Sequence, residues 1–429
     1  MRAQCWVLTL AAAAAMTTTA SAQGTQTLTL QQAEQLAIQN HPLIQAASNL
    51  ASAAKAQLTE TRSAYYPTVY GSLTGVGAEN NSRIAAGGLN NPIIYDRYAN
   101  GVTVTQLVTD FGRTHELVKS SDLHAQAQQE GVVTTRAQVL LQVDQSYFAA
   151  LKAQSVLAVA EETVKARQLV SDQVTELAKN KIRSDLDVNF ANVNLAQAQL
   201  LLIQAQNDLR SSFARLSTAL GSSDLVTYQL GEQPLPPAPT SDVTALVRQA
   251  LRDRPELVGQ RLTVSSAQSF ATAERDLKLP TISALGTAGL TPVNESPLAP
   301  RYAAGGVNVD IPIFNGHLYG ARETEAQSRA QAETQYLRDL QNQIVRDVQT
   351  AWLDANAAFQ RLSVTDRLLA EANQALDLAQ GRYSLGLSSI IELTQAELNQ
   401  TTARIEQASA KYDYEAQYTL LNYQLGALH

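Results

Sequence analysis

Between Arg113 and Arg183 apolar residues recur every three or four positions, with no proline and a single glycine, Gly131. They include Leu140, Val143, Tyr147, Ala150, Leu157, Ala160 and Val164. This spacing is typical of a helix that packs along another helix in a coiled coil. A helix of about 71 residues reaches roughly 105 Å, far longer than the helices of compact domains. We therefore expect it to pack along other long helices; a solvated rod or a dimeric coiled coil is the simplest alternative.

The same pattern occurs twice in the chain. Pro42 and Pro255 are 213 residues apart, and so are Pro67 and Pro280. Farther on the offset becomes 205 and pairs Val143 with Val348, Tyr147 with Trp352, Ala150 with Ala355, Leu157 with Leu362, Val188 with Leu393, Ala191 with Ala396, and Gly221 with Gly426. An offset that stays fixed across a whole helical hairpin indicates a duplication.

Each half is predicted to contain a short helix, a helix that begins at a proline, two strands, a long helix and a return helix. The short helices are Leu28–Asn40 and Asp242–Asp253, the second long helix runs from His317 to about Gln380, and the return helices are Leu186–Leu220 and Ile390–Leu425. Prolines 42 and 255 suit the first turn of a helix. The predicted repeats are 23–221 and 241–429, and a proline-rich linker at 222–240 joins them.

Between the proline-opened helices and the long helices the apolar residues alternate with polar ones. In 281–291 the apolar positions are Ile282, Ala284, Ala288 and Leu290, and in 307–313 they are Val307, Val309, Ile311 and Ile313. The stretches 68–78 and 102–105 correspond to them in the first half, and Gly77–Tyr98 and Thr291–Arg301 are predicted loops. Such strands have one apolar and one polar face. Their length of about 10 residues fits an outer-membrane barrel, and a soluble sandwich would give the same alternation.

The first 22 residues have the pattern of a secretory signal peptide. Arg2 precedes an apolar stretch, and Ala20-Ser21-Ala22 forms a small-x-small cleavage site. Cleavage would remove the only cysteine, Cys5, and change the net charge from −7 to −8. No later segment is apolar enough for a transmembrane helix, so we expect an exported chain in which any membrane span consists of strands.

Four strands cannot close a barrel, and an open sheet edge is not tolerated in lipid. Several chains must then share one barrel. Three chains would supply twelve strands and twelve helices around a lumen, whereas two would supply eight strands and leave little lumen. The geometry favours three chains.

These features resemble the TolC family of outer-membrane channel proteins over Leu28 to Gly426. The ordered elements carry the resemblance, together with His41-Pro42, Arg254-Pro255-Glu256-Leu257, Phe314-Asn315-Gly316 and Arg382-Tyr383-Ser384-Leu385-Gly386. It implies a mainly α fold with a small membrane β-barrel. Duplicated helical hairpins would form a trimeric α-barrel reaching about 100 Å into the periplasm, and four strands per chain would contribute to a shared 12-stranded β-barrel. Val307, Val309, Ile311 and Ile313 would face lipid.

The resemblance also implies a function and partners. Members of the family complete tripartite efflux or type I secretion systems in the outer membrane of Gram-negative bacteria. They bind a periplasmic adaptor protein and an inner-membrane transporter, and they pass drugs, metals, small molecules or unfolded proteins outward. The inner-membrane partner selects the cargo. We therefore expect a passive homotrimeric duct that extends into the periplasm, contacts outer-membrane lipid and binds no nucleic acid.

The resemblance places the entrance of the duct at the turns 179–187 and 381–392. In the family a tyrosine of the second tip binds an aspartate of the first, and Tyr383 and Asp187 match these two residues. Glu392 matches one acid of a ring that narrows the pore, with Asp185 as a further gate acid. Ser388 stands where the family has an arginine. The alternative without a gating role is that these acids are solvent-exposed residues at helix starts, where negative charge is favoured by the helix dipole.

The same turns would contact the adaptor. The contact residues would be Asn180, Lys181, Ser384, Leu385, Gly386 and Leu387. Gly386 permits the positive φ that a tight turn needs. Lys181 replaces the glycine expected at the first tip, and Asn180 is expected to be the left-handed residue there.

The residues show no catalytic or cofactor-binding pattern. The five histidines lack metal-binding spacing, and there is no nucleophile elbow or phosphate loop. Asp110-Phe111-Gly112 spells a kinase triplet, but it lies at a strand-to-helix corner without other kinase elements. The acidic charge argues against nucleic acid as a partner. We expect no enzyme activity, metal or cofactor. The competing class is a periplasmic coiled-coil adaptor or scaffold, which would carry one hairpin and no duplicated strand pairs.

Overall fold

The computed structural model describes residues 27–77, 83–86, 89–93, 97–224, 226–291 and 299–428. The first half forms β1 (Thr27–Leu28), α1 (Leu30–Asn40), α2 (Pro42–Arg62), β2 (Thr68–Val76), β3 (Arg83–Ala86), β4 (Leu89–Ile93), β5 (Arg97–Thr109), α3 (Arg113–Lys179) and α4 (Asp185–Ala219). The second forms β6 (Gln229–Leu230), α5 (Val243–Asp253), α6 (Pro255–Asp276), β7 (Thr281–Leu290), β8 (Arg301–Asp310), α7 (Leu318–Ser384) and α8 (Ile390–Gln424). The long helices α3 and α7 both have 67 residues, and α4 and α8 both have 35. The predicted signal peptide lies outside the described residues.

Local chemistry determines where the long helix α3 begins. The Asp110 carboxylate accepts hydrogen bonds from the backbone N–H of Thr114 (2.7 Å) and from the Thr114 hydroxyl (2.5 Å). Phe111 and Gly112 have φ values of 56° and 113°, so the chain turns sharply before the helix. The triplet Asp110-Phe111-Gly112 is therefore a strand-to-helix corner, as the sequence predicts.

The two return helices end in the same way. Gly221 and Gly426 have φ values of 78° and 72°. A Cβ on Gly221 would lie 2.9 Å from the His41 Cα atom, and one on Gly426 would lie 3.0 Å from the carbonyl carbon of Asp253. Only glycine combines the left-handed backbone with so close an approach. Each return helix thus ends against the elbow that precedes the proline-opened helix of its own half.

Helix α3 is the central element, because it packs against α2, α4, α6 and α8. One apolar core joins α1, α3 and α4 around Val143, Tyr147 and Leu216. A second core joins α5, α7 and α8 around Ile344 and Val348. The Tyr147 hydroxyl lies 2.8 Å and 2.7 Å from the carbonyl oxygens of Leu28 and Gly231. It thereby holds the β1–β6 pair against α3.

The main sheet has the strand order β2–β5–β7–β8, and its neighbouring strands are antiparallel. Along the β7–β8 ladder, Ile282 lies opposite Val309 and Ala284 opposite Val307, while Thr281 lies opposite Asp310 and Ser283 opposite Asn308. Because side chains alternate along a strand, one face of this end of the ladder is apolar and the other polar, and Leu285, opposite Gly306, is the apolar exception on the polar face. The predicted alternation is therefore present in the structure.

The last strand is displaced from its predicted position. It was expected at 307–313, but β8 begins at Arg301, opposite Leu290, and ends at Asp310. Pro312 has no N–H for the ladder. Ile311 and Ile313 therefore lie beyond the strand, and their assignment to it is wrong.

Other boundaries also differ from the prediction. The stretch predicted as a loop from Gly77 to Tyr98 contains β3 and β4, and β5 already begins at Arg97. The sequences of these strands, RIAA and LNNPI, do not alternate apolar and polar residues, so they give no period-two signal. At the helix ends, α3 stops at Lys179 before the expected Arg183, and α7 continues past Gln380 to Ser384. Among the described helices, none is long and apolar enough to cross a membrane.

Candidate functional site

The free ends of the two helical hairpins lie side by side. A small apolar cluster, here called the tip core, joins α3, α4, α7 and α8. It consists of Val174, Ala191, Ala379, Tyr383, Ile390, Leu393 and Ala396. The turns after α3 and α7 lie at this end of the helices, so the structure brings the two predicted tip regions into one site.

Both turns have the same backbone form. Lys181 has a φ of 58° and Gly386 a φ of 76°. The backbone N–H groups of Lys181, Ile182, Gly386 and Leu387 donate to the carbonyl groups of Ala178, Leu177, Tyr383 and Arg382, at 2.8, 2.9, 3.0 and 2.8 Å respectively. This is the Schellman ending of a helix, which places the left-handed residue just after the C-cap.

The expectation that Asn180 is the left-handed residue of the first turn is therefore wrong. Asn180 is the C-cap of α3, with a φ of −88°. Its side-chain amide donates to the Glu176 carbonyl at 2.9 Å. The left-handed conformation falls instead on Lys181, at the position that matches Gly386.

Tyr383 is buried at the tip and in contact with Arg183. The Arg183 guanidinium carbon lies 4.1 Å from the centroid of the Tyr383 ring. Its Nη2 donates to the Tyr383 carbonyl oxygen at 2.5 Å. Burial raises the pKa of Tyr383; the Arg183 charge lowers it and the Asp187 charge raises it. Among the described residues, the Tyr383 hydroxyl has no hydrogen-bond partner.

Asp187 belongs to the start of α4 in this structure. Its carboxylate accepts from the Ser184 N–H, and the Ser184 hydroxyl accepts from the Asp187 N–H, both at 3.2 Å. This reciprocal pair is a capping box. Asp185 is exposed one position into the helix. Asp187 is thus near Tyr383 without a hydrogen bond to it, and its observed contacts are those of a helix-start residue.

Glu392 and Ser388 lie in the second tip. The Glu392 carboxylate accepts from the Arg382 Nε at 3.0 Å, and both side chains are about half exposed. An ion pair in that setting contributes roughly 0–1 kcal/mol. The Ser388 hydroxyl is buried and has no partner among the described residues. Sequence reasoning missed Arg382 as the partner of Glu392, although the two residues are only ten positions apart, on either side of the second tip turn.

Buried polar contacts tie the two hairpins together behind the tips. The Arg167 Nη1 and the Glu397 carboxylate are 2.5 Å apart, with side chains 10 % and 3 % exposed. Arg167 also donates to the Thr401 hydroxyl at 3.3 Å. Burial raises the pKa of Glu397, while the Arg167 charge lowers it. Sequence reasoning missed this pair, since 230 residues separate its members.

A cleft of about 630 Å³ lies between the hairpins behind the tips. Its walls come from α3, α7 and α8, and include Arg167, Tyr383 and Glu397. The hairpins are therefore not packed against each other along their whole length.

Each tip also presents exposed apolar side chains. Ile182 and Leu186 on the first tip match Leu387 and Ile391 on the second at the 205-residue offset, and all four are exposed. The other residues expected to contact a partner, namely Asn180, Lys181, Ser384, Leu385 and Gly386, are exposed as well. The two tips therefore offer equivalent surfaces.

The apolar side chains at the end of the sheet are exposed in the same way. Val307 and Val309 project from one face of β8, and Ile311 and Ile313 follow it. The last of these, Ile313, is 93 % exposed. In the described part of the chain, no group of three or more His, Cys, Asp or Glu side chains could hold a metal ion.

Comparison with known proteins identifies relatives over nearly the whole chain. The outer membrane efflux protein family matches residues 33–222 and 246–427. The Outer membrane protein TolC of Escherichia coli K12 is 22 % identical over 416 residues, which cover 93 % of this chain and 82 % of that protein. The match in two segments follows the two halves of the fold.

Solved structures share the fold at low sequence identity. A membrane protein from Pseudomonas aeruginosa superposes with a TM-score of 0.82 at 20 % identity, covering 92 % of this chain and 93 % of that one. A crystal structure of CusC superposes with a TM-score of 0.80 at 20 % identity, covering 92 % of both chains. The arrangement of helices and sheet is therefore common to these proteins.

Proposed function

This chain belongs to the outer membrane efflux protein family, and from that premise we propose that it is the outer-membrane channel of a tripartite efflux or type I secretion system. Three copies of the four-stranded main sheet close one twelve-stranded barrel in the outer membrane. The helical hairpins continue the barrel as a passive duct through the periplasm. A periplasmic adaptor and an inner-membrane transporter attach at the helix tips.

The observation that carries this proposal is the open, two-faced main sheet. Its outer strands β2 and β8 each have one neighbour among the described residues. Large apolar side chains such as Leu73 and Val307 are exposed on it, at 77 % and 68 %. An unpaired edge beside exposed apolar surface is unstable alone in water or in lipid. Pairing β2 of one copy with β8 of the next removes both edges.

The helices support assembly with further copies. On α4 the residues Leu186, Val193 and Leu200 are exposed and seven positions apart, and on α8 Ile391 and Leu398 repeat this spacing. A heptad stripe of apolar residues needs a facing helix. Because the two stripes match at the 205-residue offset, both hairpins contact neighbours in the same way, as a closed helical wall requires.

Tyr383 and Asp187 are proposed to hold the entrance closed, with Glu392 and Asp185 adding negative charge around it. The Tyr383 hydroxyl is buried without a partner, and the Asp187 charge raises the pKa of Tyr383. In the closed entrance the phenol would donate to the Asp187 carboxylate, which here accepts from the Ser184 N–H. Such a bond contributes about 1.5–3 kcal/mol when shielded from water, which is enough to bias a two-state tip.

Single-channel conductance in planar bilayers tests the proposal. Tyr383→Phe should raise the conductance, Asp187→Asn should raise it by a comparable or smaller amount, and the double variant should add little because both changes remove one interaction. Tyr336→Phe, which changes an exposed tyrosine in the first third of α7, far from the tip, is the matched control. Unchanged conductance in both tip variants, or effects that simply add, would refute this gate, and the Glu392 ring would be the next candidate.

A further inference from the structure

Arg183 makes contacts that neither the capping of α4 nor the tip core explains. It lies in the turn between α3 and α4, yet both of its contacts are with the last turn of α7. The guanidinium stacks on the Tyr383 ring at 4.1 Å and donates to the Tyr383 carbonyl at 2.5 Å. A single side chain of the first tip thus holds the ring and the backbone of a residue in the second tip.

We propose that Arg183 is the positioning residue of the gate: it fixes Tyr383, and through it the second tip, against the first tip in the closed entrance. This inference rests on the proposed channel function. It goes beyond the Tyr383–Asp187 pair by naming the contact that holds Tyr383 in place.

The geometry uses properties that only arginine has. A planar guanidinium can stack on an aromatic ring and donate in its own plane at the same time. The carbonyl it binds also accepts the Gly386 N–H at 3.0 Å, which is one of the two bonds that close the second turn. Arg183 therefore contacts the turn itself, and movement of the second tip must break this contact.

The contact has no counterpart at the matching position of the second tip. At the 205-residue offset Arg183 corresponds to Ser388, whose buried hydroxyl has no partner among the described residues. The second tip therefore has no equivalent cation that reaches back to the first. The contact is therefore not reciprocal: a side chain of the first tip binds a residue of the second tip, and Ser388 makes no such contact in return.

Arg183 holds Tyr383 without a carboxylate as its partner. Within the described residues no salt bridge of Arg183 occurs, and its Nε is buried without a hydrogen bond. Arg167, a buried arginine that also lies between the hairpins, is paired with Glu397 at 2.5 Å. Arg167 therefore joins the hairpins through a buried ion pair, whereas Arg183 joins them at the tips through a stacked contact with an aromatic ring.

The test is single-channel conductance of Arg183→Ala, Arg183→Lys and Lys179→Ala. Arg183→Ala should raise the conductance at least as much as Tyr383→Phe, because the phenylalanine variant keeps the ring and the carbonyl. It should raise the conductance further when it is added to Tyr383→Phe. Arg183→Lys should have an intermediate effect, since a lysine keeps the charge and loses the planar stack.

Lys179→Ala removes a cation from the last turn of α3 whose partner is Glu176 at 2.7 Å, so it should change the conductance much less than Arg183→Ala does. The thermal unfolding temperature of Arg183→Ala should stay at the wild-type value, which separates a gate contact from a general loss of stability. If Arg183→Ala does not assemble, Arg183→Gln supplies the same comparison.

The outcomes separate this inference from the proposed function. If Tyr383→Phe and Asp187→Asn raise the conductance while the Arg183 variants do not, the role of Arg183 is refuted and the channel remains. Equal effects of Arg183→Ala and Lys179→Ala would likewise refute it, since charge alone would then be the cause. If the wild-type protein forms no channel, the proposed function fails, and the role of Arg183 fails with it.

Discussion

Lys181 has a left-handed backbone conformation, with a φ of 58°, which is unfavourable for a residue that carries a Cβ atom. Among the described residues, the non-glycine residues with positive φ are Phe111, Lys181 and His317. The composition of the first tip suggested Asn180 for this role, because asparagine tolerates the left-handed region better than lysine. The last hydrogen bonds of α3 determine which residue follows the C-cap, and this residue is Lys181. The sequence alone does not locate the end of the helix to within one residue.

Lys181→Gly should therefore stabilise the chain. The left-handed conformation costs a residue with a Cβ about 1–2 kcal/mol relative to glycine, and the flexibility of glycine in the unfolded chain offsets part of the gain. Urea unfolding of the detergent-solubilised protein measures the difference. Asn180→Gly is the matched control, and it should give no gain because φ is −88° there. Equal gains at both positions would contradict the assigned turn.

Asp144 is an acid inside the first apolar core. It is 2 % exposed and lies on α3 beside Glu34 of α1. Burial raises the pKa of Asp144 to about 8, and the Glu34 charge adds to this. Burial also raises the pKa of Glu34, while its hydrogen bond with Asp144 lowers it. Two carboxyl groups in contact are stable together when they share a proton.

The stability of the protein should fall as the pH rises from mildly acidic to alkaline. The folded chain keeps a proton on the pair that the unfolded chain releases above the ordinary Asp pKa of 3.8. The contribution of the protonated pair is therefore complete below about pH 4 and is lost progressively up to about pH 8. Asp144→Asn should flatten this dependence.

Thermal unfolding at pH 5 and pH 9 measures the effect. Asp144→Asn should gain several degrees on the wild type at pH 9, and less at pH 5. Glu371→Gln, which changes an exposed acid of α7, should leave the difference between the two pH values as it is in the wild type. A wild-type unfolding temperature that is the same at both pH values would show that the pair is not buried as described.

At the scale of elements, the helices could be predicted closely from the sequence. Proline at the first turn marks the start of α2 and α6, and glycine after the last turn marks the end of α4 and α8. Apolar residues that recur every three or four positions place α3 from its first residue, Arg113. The contacts at the tips could not be predicted in this way. Tyr383 and Arg183 are 200 residues apart, and their contact depends on how the hairpins rotate against each other.

The sheet could be predicted from the sequence only in part. Alternation fixed the faces of β7 and β8, but the ladder also needs N–H groups, and Pro312 lacks one. The β3–β4 pair was missed because neither strand alternates apolar and polar residues, and its ladder shifts register between Arg83 and Ala85. The side-chain pattern therefore predicts which face of a strand is apolar, whereas the residues at which a strand begins and ends depend on its hydrogen bonds with the neighbouring strand.

The assignment of faces predicts different effects for neighbouring substitutions in β8. Val309 lies opposite Ile282 on the apolar face, and Asn308 lies opposite Ser283 on the polar face. Val309→Arg should cost about 2–4 kcal/mol if the residue contacts lipid near the midplane, whereas Asn308→Arg should be tolerated. The fraction of assembled protein in the outer membrane and its urea unfolding report the difference. Greater damage from Asn308→Arg than from Val309→Arg would show that the faces are reversed, and equal damage would contradict the assignment of one apolar and one polar face.

At the scale of the whole molecule, one chain leaves three kinds of surface uncovered. These are the two edges of the main sheet, the apolar face of that sheet, and the heptad stripes on α4 and α8. Copies of the same chain would cover the edges and the stripes, and lipid would cover the sheet. The proposed channel thus follows from what a single chain leaves unpaired.

Native mass spectrometry of the protein extracted from outer membranes in mild detergent tests this claim most directly. A shared barrel predicts a species of three chains and none larger, because three four-stranded sheets close a barrel with a lumen. Cross-linking before extraction should give the same number. A stable monomer that keeps its sheet content, as measured by circular dichroism, would contradict the shared barrel and the channel built on it.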